Sequence, residues 1–111
     1  MDVATKIINE TMRIGGEKID GPADRIDVMN PYTNEVVGTI PRASREQVRN
    51  AFDIAAAYTP TLTRYERQQI LAKAAELIVG RRDEISDLIT AECGLSKKDS
   101  LYEVGRAFDV F

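Results

Sequence analysis

The sequence has no histidine and no tryptophan, and only one cysteine. Without imidazole it lacks the commonest general base at neutral pH and the commonest metal ligand. Ser/His and Cys/His nucleophile pairs are therefore excluded within these 111 residues. A lone cysteine makes no intrachain disulfide and falls short of a metal site, which fits a reducing, cytoplasmic setting. No apolar run approaches the ~20 residues that span a bilayer. Residues 1–10 carry acids and no continuous apolar stretch, so they do not read as a secretory signal. A basic excess is also missing. Fifteen Lys and Arg against eighteen Asp and Glu leave a formal charge of −3, which excludes attraction to a nucleic-acid backbone. The pairs Arg81-Arg82 and Lys97-Lys98 have acidic neighbours and read as solvated helix ends. Neither G-x-G-x-x-G nor G-x-x-x-x-G-K-[ST] occurs, so no phosphate-cradling loop is encoded.

What is present suits one folded domain with a modest core: 43% apolar and 30% charged residues. The first forty residues read as two β-hairpins. Met12-Arg13-Ile14 and Glu17-Lys18-Ile19 flank the turn signal Gly15-Gly16. Asp20-Gly21-Pro22 breaks the chain. Arg25 to Met29 alternates polar and apolar, as a half-buried strand does. Pro31 and Asn34 suit a turn, and Glu35 to Ile40 returns as the partner strand, with Gly38 expected at a bulge.

After Pro41 the apolar period changes from two to near 3.6. Ser44-Arg45-Glu46-Gln47 is a capping box ahead of a helix whose apolar face is Val48, Ala51, Phe52, Ala55 and Ala56. Thr63-Arg64-Tyr65-Glu66 is a second box, before a stripe of Ile70, Leu71, Ala74, Leu77 and Ile78, with Gly80 as the expected stop. A third helix is expected over residues 83–93, burying Ile85, Leu88 and Ile89 and stopping at Gly94. A fourth starts at Ser96, with Asp99 in its first turn and Leu101, Val104, Phe108 and Phe111 inward. No stop signal follows, so Phe111 reads as a cut point inside an unfinished helix.

Few residues invite chemistry. Cys93 falls at a helix C-terminus beside Glu92, where the dipole disfavours a thiolate, and it reads as structural. Glu103, near Val104 and Phe108, reads as a partly buried cap or salt-bridge partner.

The linear order as a whole resembles the N-terminal quarter of the NAD(P)-dependent aldehyde dehydrogenase superfamily. The resemblance is carried by Ile26-Asp27-Val28-Met29-Asn30-Pro31, Thr33-Asn34-Glu35-Val36 and Ile40-Pro41-Arg42-Ala43-Ser44. It continues through Glu66-Arg67-Gln68-Gln69-Ile70-Leu71, Thr90-Ala91-Glu92-Cys93-Gly94 and Glu103-Val104-Gly105-Arg106-Ala107. No single motif is specific; their order and spacing are. The chain departs from the usual pattern with Asn34 in place of Gly, no Trp near Tyr58 to Pro60, and Leu95-Ser96 where Lys-Pro is common. The run from Glu92 to Asp99 is most similar to the branch acting on small phosphorylated or phosphonate aldehydes such as phosphonoacetaldehyde.

The resemblance implies an α/β fold in which residues 1–111 are the incomplete N-terminal part of a dinucleotide-binding domain. The segment by itself is expected to be α+β, with hairpins over about 12–40 and helices over about 44–111. It implies a parent enzyme that oxidises an aldehyde to an acid with NAD or NADP. The expected partners are the remainder of that enzyme, a small aldehyde and further copies in a homo-oligomer, with no nucleic acid and no membrane. In such enzymes a cysteine attacks the aldehyde carbon, hydride passes to the nicotinamide, and a glutamate helps water release the acyl group. None of those positions falls in this stretch, and Cys93 does not match the catalytic one. No cofactor is expected to bind the segment alone. A monovalent cation is implied near the Asn-Pro turn, with the Met29 carbonyl and the Glu103 carboxylate as ligands. The competing reading is a stand-alone helical interaction module with a hairpin arm and no catalytic activity.

Overall fold

The computed structural model describes residues 7–22 and 24–111. Residues 1–6, the larger part of the stretch read as no secretory signal, lie outside the described residues. Five strands and four helices occur among the described residues, an α+β arrangement that divides between Thr59 and Pro60 into two compact units.

The first unit holds the strands and one helix. β2 (Met12–Ile14) and β3 (Glu17–Ile19) form a hairpin around Gly15 and Gly16, whose φ values of 61° and 85° are the left-handed pair that a two-residue turn needs. β4 (Arg25–Met29) and β5 (Val36–Pro41) form the second hairpin. Its connection turns on the Asn30 side chain, which accepts from the Tyr32 and Thr33 N–H groups, and on Asn34 at φ 60°. A short β1 (Ile8–Asn9), which the sequence pattern does not announce, pairs parallel with β5 and completes the order β1-β5-β4.

The register shift falls where Val28 opposes Gly38 and Met29 opposes Val36, which leaves Val37 as the extra residue. The bulge expected at Gly38 therefore sits one residue earlier. Gly38 has a different reason to lack a side chain: a Cβ there would lie 2.9 Å from the Ile8 carbonyl oxygen.

α1 (Arg45–Ala57) starts as expected, with Ser44 and Gln47 exchanging bonds of 3.1 and 2.8 Å in a complete capping box. Gln47 also donates to the Asp20 carbonyl, which ties the helix start to the segment after β3. Ile14 and Val37 are the buried apolar residues of this unit. None of the helix's own residues is buried, and Phe52 is 72% exposed.

The second unit is α2 (Arg64–Gly80), α3 (Arg82–Cys93) and α4 (Lys97–Val110). Thr63 and Glu66 make the second complete box. Gly80 does not stop α2 in a left-handed turn. The chain passes almost directly into α3 through Arg81, whose N–H donates to the Leu77 and Ile78 carbonyls. Gly94 does close α3 in the left-handed region, at φ 74°, and Ser96 caps α4.

The centre of this unit differs from the expected stripes. Ala75, Ser86, Ser100 and Val104 are buried, whereas Leu71, Leu77, Leu88, Phe108 and Phe111 stay exposed. Small side chains and Val104 are buried at the seam, while Ile78, Ile85, Ile89 and Leu101 of the expected stripes are half-buried.

Candidate functional site

The two residues singled out as cation ligands belong to different units. Met29 ends β4 beside the bulge and is 43% exposed. Glu103 lies on α4 with a side chain 45% exposed, 3.6 Å from the Arg106 guanidinium one turn on. Arg106 already competes for the Glu103 carboxylate. Among the described residues no three His, Cys, Asp or Glu side chains gather as a metal set.

Cys93 is exposed at the last position of α3, and its thiol donates to the Ile89 carbonyl at 3.0 Å. That is the carbonyl one turn back, inside the helix's own hydrogen-bond ladder. The arrangement occupies the sulfur proton and places no base beside it. One member of each basic pair has a local partner: Arg81 bridges Glu84 at 2.6 Å and Lys97 bridges Asp87 at 2.6 Å. Glu84 is held below the ordinary carboxylate value by its bonds from Arg81, and Arg81 is raised in turn by Glu84. Both side chains are largely exposed, so the pair organises the start of α3 more than it stabilises it.

Two polar clusters escaped the sequence reading. One is the hydroxyl set between α3 and α4. Ser86 and Ser100, both 0% exposed, lie 2.6 Å apart, with Thr90 Oγ1 donating to Ser100 at 3.3 Å. Ser100 donates its own proton to the Lys97 carbonyl, so Ser86 must donate to Ser100. The available signal was periodic: Ser86 and Thr90 are four apart, as are Ser100 and Val104, which puts the hydroxyls in phase with the core. The other is Arg25, which bonds to Thr39, Asp20 and the Glu10 carbonyl at once. Nothing in its local sequence distinguishes it from a solvated strand charge.

Neither cluster carries a reaction. Two open grooves are lined partly by apolar side chains: about 340 Å³ beside Met12, Ile14, Val48 and Phe52, and about 420 Å³ on α4 beside Leu101, Tyr102, Gly105 and Phe108. Both expose apolar side chains of helices with no cover on that side.

The sequence model described as the aldehyde dehydrogenase family matches residues 19–111. This chain belongs to the aldehyde dehydrogenase family. A lactaldehyde dehydrogenase of Methanococcus aeolicus is 36% identical over 103 residues, covering 90% of this chain and 22% of that protein. Among solved structures, aldehyde dehydrogenase 21 of Physcomitrella patens, in complex with its reaction product succinate, is similar at TM-score 0.87. It is 31% identical, with 94% of this chain and 22% of that one covered. The NADP-dependent glyceraldehyde-3-phosphate dehydrogenase of Bacillus halodurans, complexed with NADP, is similar at TM-score 0.85 and 28% identity, covering 93% and 22%. The chain thus spans about a fifth of the length of the relatives it matches.

Proposed function

We propose that these residues are the opening scaffold of an NAD(P)-dependent aldehyde dehydrogenase and take no direct part in its chemistry. The observation that carries this reading is the family match over residues 19–111. The thin core agrees with it. Of the apolar side chains described, Ile14, Val37, Ala75 and Val104 are buried, while Phe52, Leu77 and Phe108 lie open on helix faces. Faces of this kind need another layer to cover them. In this reading that layer is the dinucleotide-binding sheet and its neighbours, to whose domain residues 1–111 belong.

The substrate class we propose is a short aldehyde bearing a hydroxyl or acidic group. It rests on relatives named for lactaldehyde and glyceraldehyde 3-phosphate and on a neighbour holding succinate. Phosphonoacetaldehyde is the narrowest form of that proposal. The run behind it, residues 92–99, has a local task in this chain, since Gly94 ends α3, Ser96 caps α4 and Lys97 pairs with Asp87. The cofactor would be NAD or NADP, the assembly a homo-oligomer and the location the cytoplasm. A monovalent cation on the Met29 carbonyl and Glu103 would need further oxygens from elsewhere in the enzyme.

The test uses the enzyme that contains this segment, together with residues 1–111 alone. The enzyme should reduce NAD or NADP when given lactaldehyde, a semialdehyde or phosphonoacetaldehyde. Calorimetric titration of the segment with either nucleotide should show no binding. Nucleotide binding or aldehyde turnover by the segment would overturn the scaffold reading. A sharp, cooperative melt of a monomeric segment would favour the stand-alone interaction module.

A further inference from the structure

β1 is a strand with little to hold it. It contributes two residues to the sheet, Ile8 and Asn9, and both are exposed. Its backbone approaches β5 at Gly38, where any side chain would meet the Ile8 carbonyl. Apolar burial therefore does not account for its position, and polar contacts must.

Those contacts converge on Arg25. Its Nη2 donates to the Glu10 carbonyl at 2.7 Å and to the Thr39 carbonyl at 3.2 Å. Its Nε donates to Thr39 Oγ1 at 2.8 Å, and its Nη1 reaches Asp20 at 3.4 Å. Thr39 Oγ1 in turn donates to Asn9 Oδ1 at 2.7 Å. The Glu10 N–H closes the set by donating to the Thr39 carbonyl at 3.0 Å. One planar guanidinium thus bridges the end of β1 and the middle of β5 from its place on β4. A fork with five fixed donors can do this, whereas a lysine ammonium lacks the geometry.

We propose that Arg25 is the clasp of a detachable strap. With the clasp closed, β1 covers the outer edge of β5 at Gly38 and Thr39. With it open, β1 leaves as a unit while the β4–β5 hairpin stays paired. Arg25 is a positioning residue in this device.

Native-state hydrogen exchange on the full chain tests the device through three amides. Glu10 N–H reports β1, while Asn30 N–H, bonded to the Glu35 carbonyl, and Asn34 N–H, bonded to the Asn30 carbonyl, report the far end of the hairpin. Arg25→Ala should speed exchange at Glu10 at least tenfold and leave Asn30 and Asn34 within about twofold. Arg25→Lys should fall nearer to the alanine variant than to the parent. Thr39→Val, which keeps strand shape but removes the hydroxyl relay, should also loosen Glu10 alone, and it serves if Arg25→Ala fails to fold. Equal acceleration at all three amides, or none at Glu10 in either variant, would overturn the proposal.

Discussion

Ser86 Oγ and Ser100 Oγ lie 2.6 Å apart with no exposure to solvent, and they join α3 to α4 at the centre of the second unit. Each hydroxyl is satisfied: Ser86 and Thr90 donate to Ser100, and Ser100 donates to the Lys97 carbonyl. Satisfied hydroxyls cost the core little, but an orphaned one costs about 1–3 kcal/mol. Ser100→Ala should therefore destabilise by about that amount, since it strips Ser86 and Thr90 of their acceptor. The double variant Ser86→Ala/Ser100→Ala should be less unstable than the two single losses added together. Urea unfolding of the four proteins measures the coupling, and simple additivity would show that the hydroxyls do not act as a unit.

Glu66 differs from its counterpart Gln47 in that it titrates. Its carboxylate accepts from the Thr63 N–H at 2.7 Å and from the Thr63 hydroxyl at 2.8 Å. The backbone bond foremost, then the hydroxyl, holds it below the ordinary carboxylate value. A carboxyl depressed in the folded state contributes stability above its unfolded value. That contribution is lost as pH falls through the folded value. The start of α2 should thus fray in acid while the start of α1, capped by Gln47, does not. Thr63→Ala should raise the Glu66 pKa only part of the way, because the backbone bond survives, and should cost about 1 kcal/mol at neutral pH. Carboxyl titration by NMR reads the first effect and urea unfolding the second.

Gly94 and Gly105 should respond to alanine with opposite signs. Gly94 sits at φ 74°, where a Cβ is strained, so Gly94→Ala should lose about 1–2 kcal/mol. Gly105 lies inside α4 with open space where a Cβ would go, so Gly105→Ala should gain about 0.5–1 kcal/mol in residues 1–111. In the longer enzyme the gain should shrink or reverse if another layer packs on that face. Melting temperatures of both variants in both contexts check this, and an equal gain at Gly105 in the two would argue that α4 stays uncovered.

Val104 is 2% exposed and Leu77 is 53% exposed. Truncating Val104 to alanine should cost about 2 kcal/mol in residues 1–111, from two lost methyl groups and the cavity they leave. Leu77→Ala should cost under about 0.5 kcal/mol there, although leucine is the larger side chain. Denaturant midpoints decide the order, and a larger loss at Leu77 would place the core on the other face of α2.

The features legible in the sequence are those whose physics closes within a few residues. Ser44 with Gln47, Thr63 with Glu66, the Gly15-Gly16 turn, Asn34 at positive φ and Gly94 at the end of α3 all satisfy backbone groups close by in the chain. Such contacts are dictated by local geometry whatever lies around them. The candidate cation oxygens were legible only through family resemblance, because two oxygens far apart in sequence leave no local pattern. The stripes gave the inward side of α4 through Leu101 and Val104 and part of those of α2 and α3 through Ile78, Ile85 and Ile89, while tertiary structure alone decided which residues on those sides become fully buried. The 3.6-residue period marks a wide apolar arc, and within or beside it Ala75, Ser86 and Ser100 are the residues buried while Leu71, Leu77 and Leu88 stay exposed. Tertiary structure also decided the pairing of Ile8 with Gly38 and the convergence on Arg25, since a parallel strand and a forked guanidinium find their partners across loops that no local preference specifies.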